Sequence, residues 1–159
     1  MKKMFIVMFL VACLGSLLMA ETFEHKAGGI SIWLPDNWEV TPEGTAMSAD
    51  APDGDAFIVL DVVDAKDLDA ALDAYDEALA GIVEDFEAND EELQEIDLAG
   101  MKIIGISGTG SVEGEDWGVD VMLIGTGKAV VICISAISSA SGNKYDAVAT
   151  KIVESLKKI

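Results

Sequence analysis

Any chemistry in this chain has to come from one histidine, His25, two cysteines, Cys13 and Cys133, a set of glycines and a long run of carboxylates. Between Asp67 and Asp97 there are thirteen acidic residues and no basic one. Asp69, Asp73, Asp76 and Glu77, continued by Glu84 and Glu87, recur at helical spacing and share one side of an expected helix, next to its apolar face. Such a face binds hard cations such as calcium weakly, or docks a basic partner. Its ordinary role is the solvated outside of an amphipathic helix. Asp50, Asp53 and Asp55 imitate a calcium loop, but Ala49 and Ala51 stand where ligands are needed.

The nucleophiles offer less. A Ser-His-Asp arrangement would have to use His25, which is expected to be a solvated strand residue near a mature N-terminus and has no second metal ligand spaced near it. Cys133 lies in the apolar run AlaValValIleCysIleSerAla, where no positive charge lowers a thiol pKa, so it reads as a buried inert thiol. Gly108-Thr109-Gly110 and Gly125-Thr126-Gly127 enter strands rather than a helix N-terminus, so they are hairpin punctuation and not a phosphate cradle; the second reads as a two-residue turn. No catalytic residue and no cofactor is expected.

Charge narrows the partners. The 159 residues carry 29 acids against 10 lysines and no arginine, a formal net charge of −19. Nucleic acid is disfavoured, because phosphate contacts need a basic surface. Without arginine the usual bidentate clamp for phosphates and carboxylates is also missing.

The first twenty residues follow the secretory pattern. Lys2 and Lys3 are followed by an apolar run from Phe5 to Leu18, and small Ala20 precedes polar Glu21. Residues 1–20 are therefore expected to be a signal peptide cleaved after Ala20, leaving residues 21–159 as one α+β domain without a membrane span. Leu10-Val11-Ala12-Cys13 offers an alternative, a lipobox with lipid on Cys13, and an uncleaved anchor is the remaining one. In each case the mature chain is extracytoplasmic, periplasmic or secreted, and in the second case lipid-anchored. Cleavage leaves Cys133 as the one cysteine, which removes any intramolecular disulfide.

Gly29–Val40 organises the elements. Ile30, Ile32 and Leu34 alternate along a strand, a Pro35-Asp36-Asn37 turn follows, and Trp33 and Trp38 clamp the expected hairpin. Residues 21–28 form a short strand before it. Strands follow over 45–50 and 56–63, the second apolar on both faces and so covered on both. Leu68, Leu72, Tyr75, Leu79, Ile82 and Phe86 then predict a long helix over Leu68–Glu87, capped by Asp64 or Asp67. A return strand over 93–98 leads to a meander over 101–110, 115–125 and 128–138. A closing helix capped by Ser141-Gly142-Asn143 carries Tyr145, Val148, Ile152 and Leu156 inward, with Lys157 and Lys158 favourably at its end. The expected fold is α+β, an antiparallel sheet of about six strands with amphipathic helices packed on it.

The segment from Phe23 to Val40, with Pro35 and Trp38 forming P-x-x-W, resembles the opening of the PsbP-like superfamily, and the order of elements resembles that superfamily over nearly the whole mature chain. Its members include extrinsic subunits of the photosynthetic oxygen-evolving complex, a nuclear Ran-binding factor and exported bacterial proteins. The resemblance implies an α/β/α sandwich and a non-enzymatic role; Pro35, Trp33 and Trp38 match as structural markers and no functional residue is carried over. The reading is an exported binding or accessory protein that meets another envelope protein; an extracytoplasmic divalent-cation-binding module using the acidic helix face is the alternative.

Overall fold

The computed structural model describes residues 21–89 and 93–159. Among the described residues, eleven strands and two α-helices succeed one another as β1 (Glu21–His25), β2 (Ile30–Leu34), β3 (Glu39–Glu43), β4 (Ala46–Asp50), β5 (Ala56–Val63), α1 (Leu68–Ala80), β6 (Glu84–Ala88), β7 (Gln94–Leu98), β8 (Met101–Val112), β9 (Glu115–Gly125), β10 (Val130–Ser138), α2 (Asp146–Glu154) and β11 (Lys157–Lys158). The signal peptide and Cys13 lie outside the described residues.

The larger sheet runs β3-β4-β5-β10-β9-β8-β6, and β7 also pairs with β8. Its centre follows from sequence. Successive side chains of a strand point to opposite faces, so a run apolar at every position must be covered twice. In β10, Ile132 and Ile134 face a layer made by α1, with Ala71 and Leu79 among its buried residues. Val131 and Cys133 face the opposite layer, where Ile30, Ile32 and Leu34 of β2 join Ile152 of α2 and Leu156. Each fully buried Ile or Leu contributes about 2 kcal/mol. The result is an α+β sandwich with α1 on one face of the sheet and, on the other, α2 beside a small sheet ordered β1-β2-β11.

Glu113 and Gly114, with φ of 53° and 83°, form the two-residue loop that sets the β8–β9 register from Val112↔Glu115 onward. Asp67 caps α1 by accepting a hydrogen bond from the Ala70 N–H at 2.9 Å.

Several expectations are corrected. Gly29–Val40 is not a hairpin: β2 pairs with β1 and β11, whereas β3 pairs with β4 in the other sheet. Gly44, at φ 62°, closes a two-residue loop between Glu43 and Ala46, and that tight local pairing takes β3 away from β2. Residues 35–38 instead cross between layers, held by a 3.0 Å bond from the Trp38 N–H to the Pro35 carbonyl. The long helix stops at Ala80, and Glu84–Ala88 is a strand. Gly81-Ile82-Val83 has poor helix propensity, and Val83, just before β6, and Phe86 within it reach the same core as they would from a helix. The β9–β10 connection spans four residues, since Gly125 pairs with Val130 and the Thr126 N–H donates to the Ala129 carbonyl. No side chain caps α2 at its N-terminus, where Tyr145 stands, and Lys157 and Lys158 leave the helix to pair with Ser31 and Ile30. The strands outnumber the six expected because short edge strands carry weak patterns.

Candidate functional site

The twelve residues of β8 are too many for one short partner, so two strands share its outer edge. β7 pairs with Met101–Gly105 and β6 with Gly108–Ser111. Ile96 of β7 lies opposite Ile103 and is 47% exposed, one of the few large apolar side chains left in solvent. Its neighbours Glu95 and Asp97, both exposed, point to the other face of the sheet.

A groove lies on each side of β7. On the α1 face, a cavity of about 780 Å³ is bounded by Lys66, Asp67 and Asp69 at the start of the helix, by Glu95 and Asp97, and by Lys102 and Lys128; Leu68 and Ile104 supply its apolar floor. On the α2 face a cavity of about 460 Å³ has Ile96, Ile103 and Met122 on one side and Asp146, Val153 and Glu154 of α2 on the other. Ser107 donates to Asp120 at 2.5 Å within it. These walls suit apolar and cationic groups of a ligand together, through dispersion contact and charge pairing.

The acidic candidates are dispersed. Asp69, Asp73, Asp76 and Glu77 are all exposed on α1, and only Asp69 borders a groove. Because the helix ends at Ala80, Glu84 and Glu87 leave the stripe for β6. Among the described residues no group of three acids, histidines or cysteines is placed to hold a metal.

His25 is corrected from solvated to buried. It is 5% exposed beneath the β1–β2 turn, its Nε2 2.6 Å from the Thr45 carbonyl. Cys133 is buried, and burial first, then the Asp120 charge, pushes its thiol up to about 12. A thiol raised in this way carries little thiolate at neutral pH.

The marker residues Trp33 and Trp38 pack against the core. Trp33 lies in β2 with the Lys151 ammonium 3.7 Å from its ring centroid. Trp38 meets Tyr145 edge-on at 6.1 Å. Sequence reasoning missed what Tyr145 does: its hydroxyl donates to Asp53 at 2.6 Å, Lys144 pairs with the same carboxylate, and the Asp55 N–H donates to it at 3.1 Å. Asp53 is separated from Lys144 and Tyr145 by 91 and 92 residues, so no local spacing announces them.

The hydrogen bonds from Lys144, Tyr145 and Asp55 hold the Asp53 carboxyl well below its ordinary value. A depressed folded-state pKa contributes stability that is present above the unfolded value, near 3.8, and is lost as pH falls through the folded one. Asp53→Asn is therefore expected to melt below wild type at pH 6, and the gap should shrink steadily between pH 4 and pH 2. Thermal melts across that range check it; a gap that stays constant with pH contradicts the assignment.

No family model matches the sequence, and no curated protein matches it. Solved structures do. Cyanobacterial PsbP (CyanoP) from Synechocystis superposes with a TM-score of 0.64 at 10% identity, over 94% of this chain and 99% of that one. The chain has a PsbP-like fold. The Ran-binding protein Mog1p of Saccharomyces cerevisiae shares it at 11% identity and TM-score 0.54, over 89% and 96% of the two chains. A Bacteroides thetaiotaomicron protein aligns at 14% identity and TM-score 0.58 over 88% of this chain, which spans about half of that protein's length. The PsbP-like fold thus agrees with the P-x-x-W opening and with the order of elements, although the strand pairing around Pro35 differs from the expected hairpin. Among the described residues no helix is long and apolar enough to cross a membrane.

Proposed function

We propose that this chain is an exported, non-enzymatic binding or accessory protein of the cell envelope that works by meeting another protein. The observation that carries the reading is the outer strand β7, whose Ile96 stands half-exposed between two grooves in a surface otherwise dominated by charge. The secretory pattern of residues 1–20 supports export. That a fold-mate, Mog1p, is a Ran-binding protein supports a binding use of the same scaffold.

Two measurements test it. Mass spectrometry of the protein from a cell-envelope fraction should find Glu21 at its N-terminus; an intact Met1 in a cytosolic fraction contradicts export, and a lipidated Cys13 replaces cleavage at Ala20 by anchoring. Crosslinking in envelope extracts should recover one partner protein reproducibly, and recovery of none contradicts the binding role. Millimolar calcium is expected to leave the melting temperature unchanged, because Asp69, Asp73, Asp76 and Glu77 spread along α1; a large stabilisation at sub-millimolar calcium would favour the cation-binding alternative.

A further inference from the structure

We infer that the outer edge of β7 is a docking site for an extended segment of a partner protein, in which basic and apolar residues alternate, and which joins the sheet as an added strand. The inference rests on the binding role proposed above and names the surface and the chemistry of the partner.

A strand edge presents unpaired N–H and C=O groups, and proteins ordinarily blunt such edges with proline, bulges or charge. The other edges of the larger sheet are blunted. At one, β3 carries Pro42, which has no N–H to donate. At the other, β6 is broken by a register shift between Glu84 and Glu87, with Asp85 at φ 50°. β7 has neither proline nor bulge, and its charges, Glu95 and Asp97, are ones a basic strand would pair with: its five residues pair with β8 in unbroken register, and among the described residues nothing pairs with its outer side. In the small sheet β1 is also an edge strand, but neither groove borders it.

An added strand would project alternate side chains over the two faces, one set beside Ile96 and the other beside Glu95 and Asp97. On the α1 side those side chains meet Glu95 and Asp97, with Lys102 one strand further in, opposite Asp97. On the α2 side they meet Ile96, the exposed apolar side chain of β7. Carboxylates outnumber lysines along the path, which selects a basic strand. The same charges disfavour a second copy of this chain, because antiparallel pairing of two β7 strands sets acids of one against acids of the other.

The probe is an end-capped octapeptide of alternating lysine and valine, titrated into the purified protein while amide hydrogen exchange is followed. Exchange at Gln94–Leu98 should slow at least tenfold at saturation, with no change at Glu39–Glu43, and the affinity should fall with added salt. Glu95→Lys and Ile96→Lys, both at exposed positions, should each weaken binding at least tenfold. The same octapeptide N-methylated at every residue keeps its charge but has no backbone N–H to donate from either edge, and should not bind. Equal binding of the two peptides, or exchange at β7 unchanged by either, overturns the inference. So does a dimer of the protein that Ile96→Lys dissociates, since the occupant is then a second copy. A crosslinked envelope partner that Ile96→Lys still captures also overturns it, but leaves the binding role standing.

Discussion

Trp38→Ala should lower the stability of the folded chain by about 3 kcal/mol, the low end of the range for truncating a packed tryptophan because its ring is only half-buried. The ring joins two parts of the core: it packs against the cluster containing Ile58 and Leu60, and against a smaller one formed by Ala51, Ala56 and Tyr145. It also braces the edge of Tyr145, whose hydroxyl holds Asp53 and so ties the 52–55 turn to the start of α2. Removing the indole leaves a cavity and loosens that tie together. In a chain of this size the loss corresponds to a fall in melting temperature of roughly 10 °C. Denaturant unfolding measures it, and a midpoint equal to wild type would show that the ring contributes no packing.

Gly108→Ala is expected to cost about 2 kcal/mol, although it adds a single methyl group. A Cβ built at Gly108 falls 2.7 Å from ring atoms of Phe86 and closer still to the carbonyl oxygen of Glu87. The ring can turn, but the carbonyl belongs to β6 and moves only if the strand moves. Gly110 presents the same problem towards Val83. Both glycines allow β6 to lie close against β8, so the substitution should raise hydrogen-exchange rates in Glu84–Ala88 selectively while leaving β9 and β10 unchanged. Unaltered exchange in β6 would contradict this use of the two glycines.

The layers were legible because their pattern is strong. Ile58, Leu60, Ile132 and Ile134 occupy a run apolar on both faces, and Leu68, Leu72, Tyr75 and Leu79 mark α1 at helical spacing. Boundaries and partners were less legible. Val83 and Phe86 fit a helix and a strand equally well in sequence, and only the propensity of Gly81 and the β-branched pair after it divides the two. The pairing of β3 with β4 was decided by a two-residue loop at Gly44 that competes with the Pro35 turn for the same strand. His25 was misplaced because its burial depends on the β3–β4 turn, twenty residues away, closing over it.

The candidate site was half visible. The return strand 93–98 could be read from its alternation, but its solitary Ile96 between Glu95 and Asp97 acquires meaning only once β6 and β7 are seen to divide the edge of β8 between them. The acidic residues, conspicuous in the sequence, turned out to be spread along α1 and β6 rather than gathered. Their contribution at β7 is to select the charge of what docks there.

A photocrosslinking amino acid placed at Ile96 in living cells tests the central claim most directly. Position 96 should yield a single adduct with another envelope protein, and the same amino acid at Asp76, on the outer face of α1, should not. Equal adducts at both positions, or an adduct at Asp76 alone, would contradict the claim that this chain meets its partner along β7.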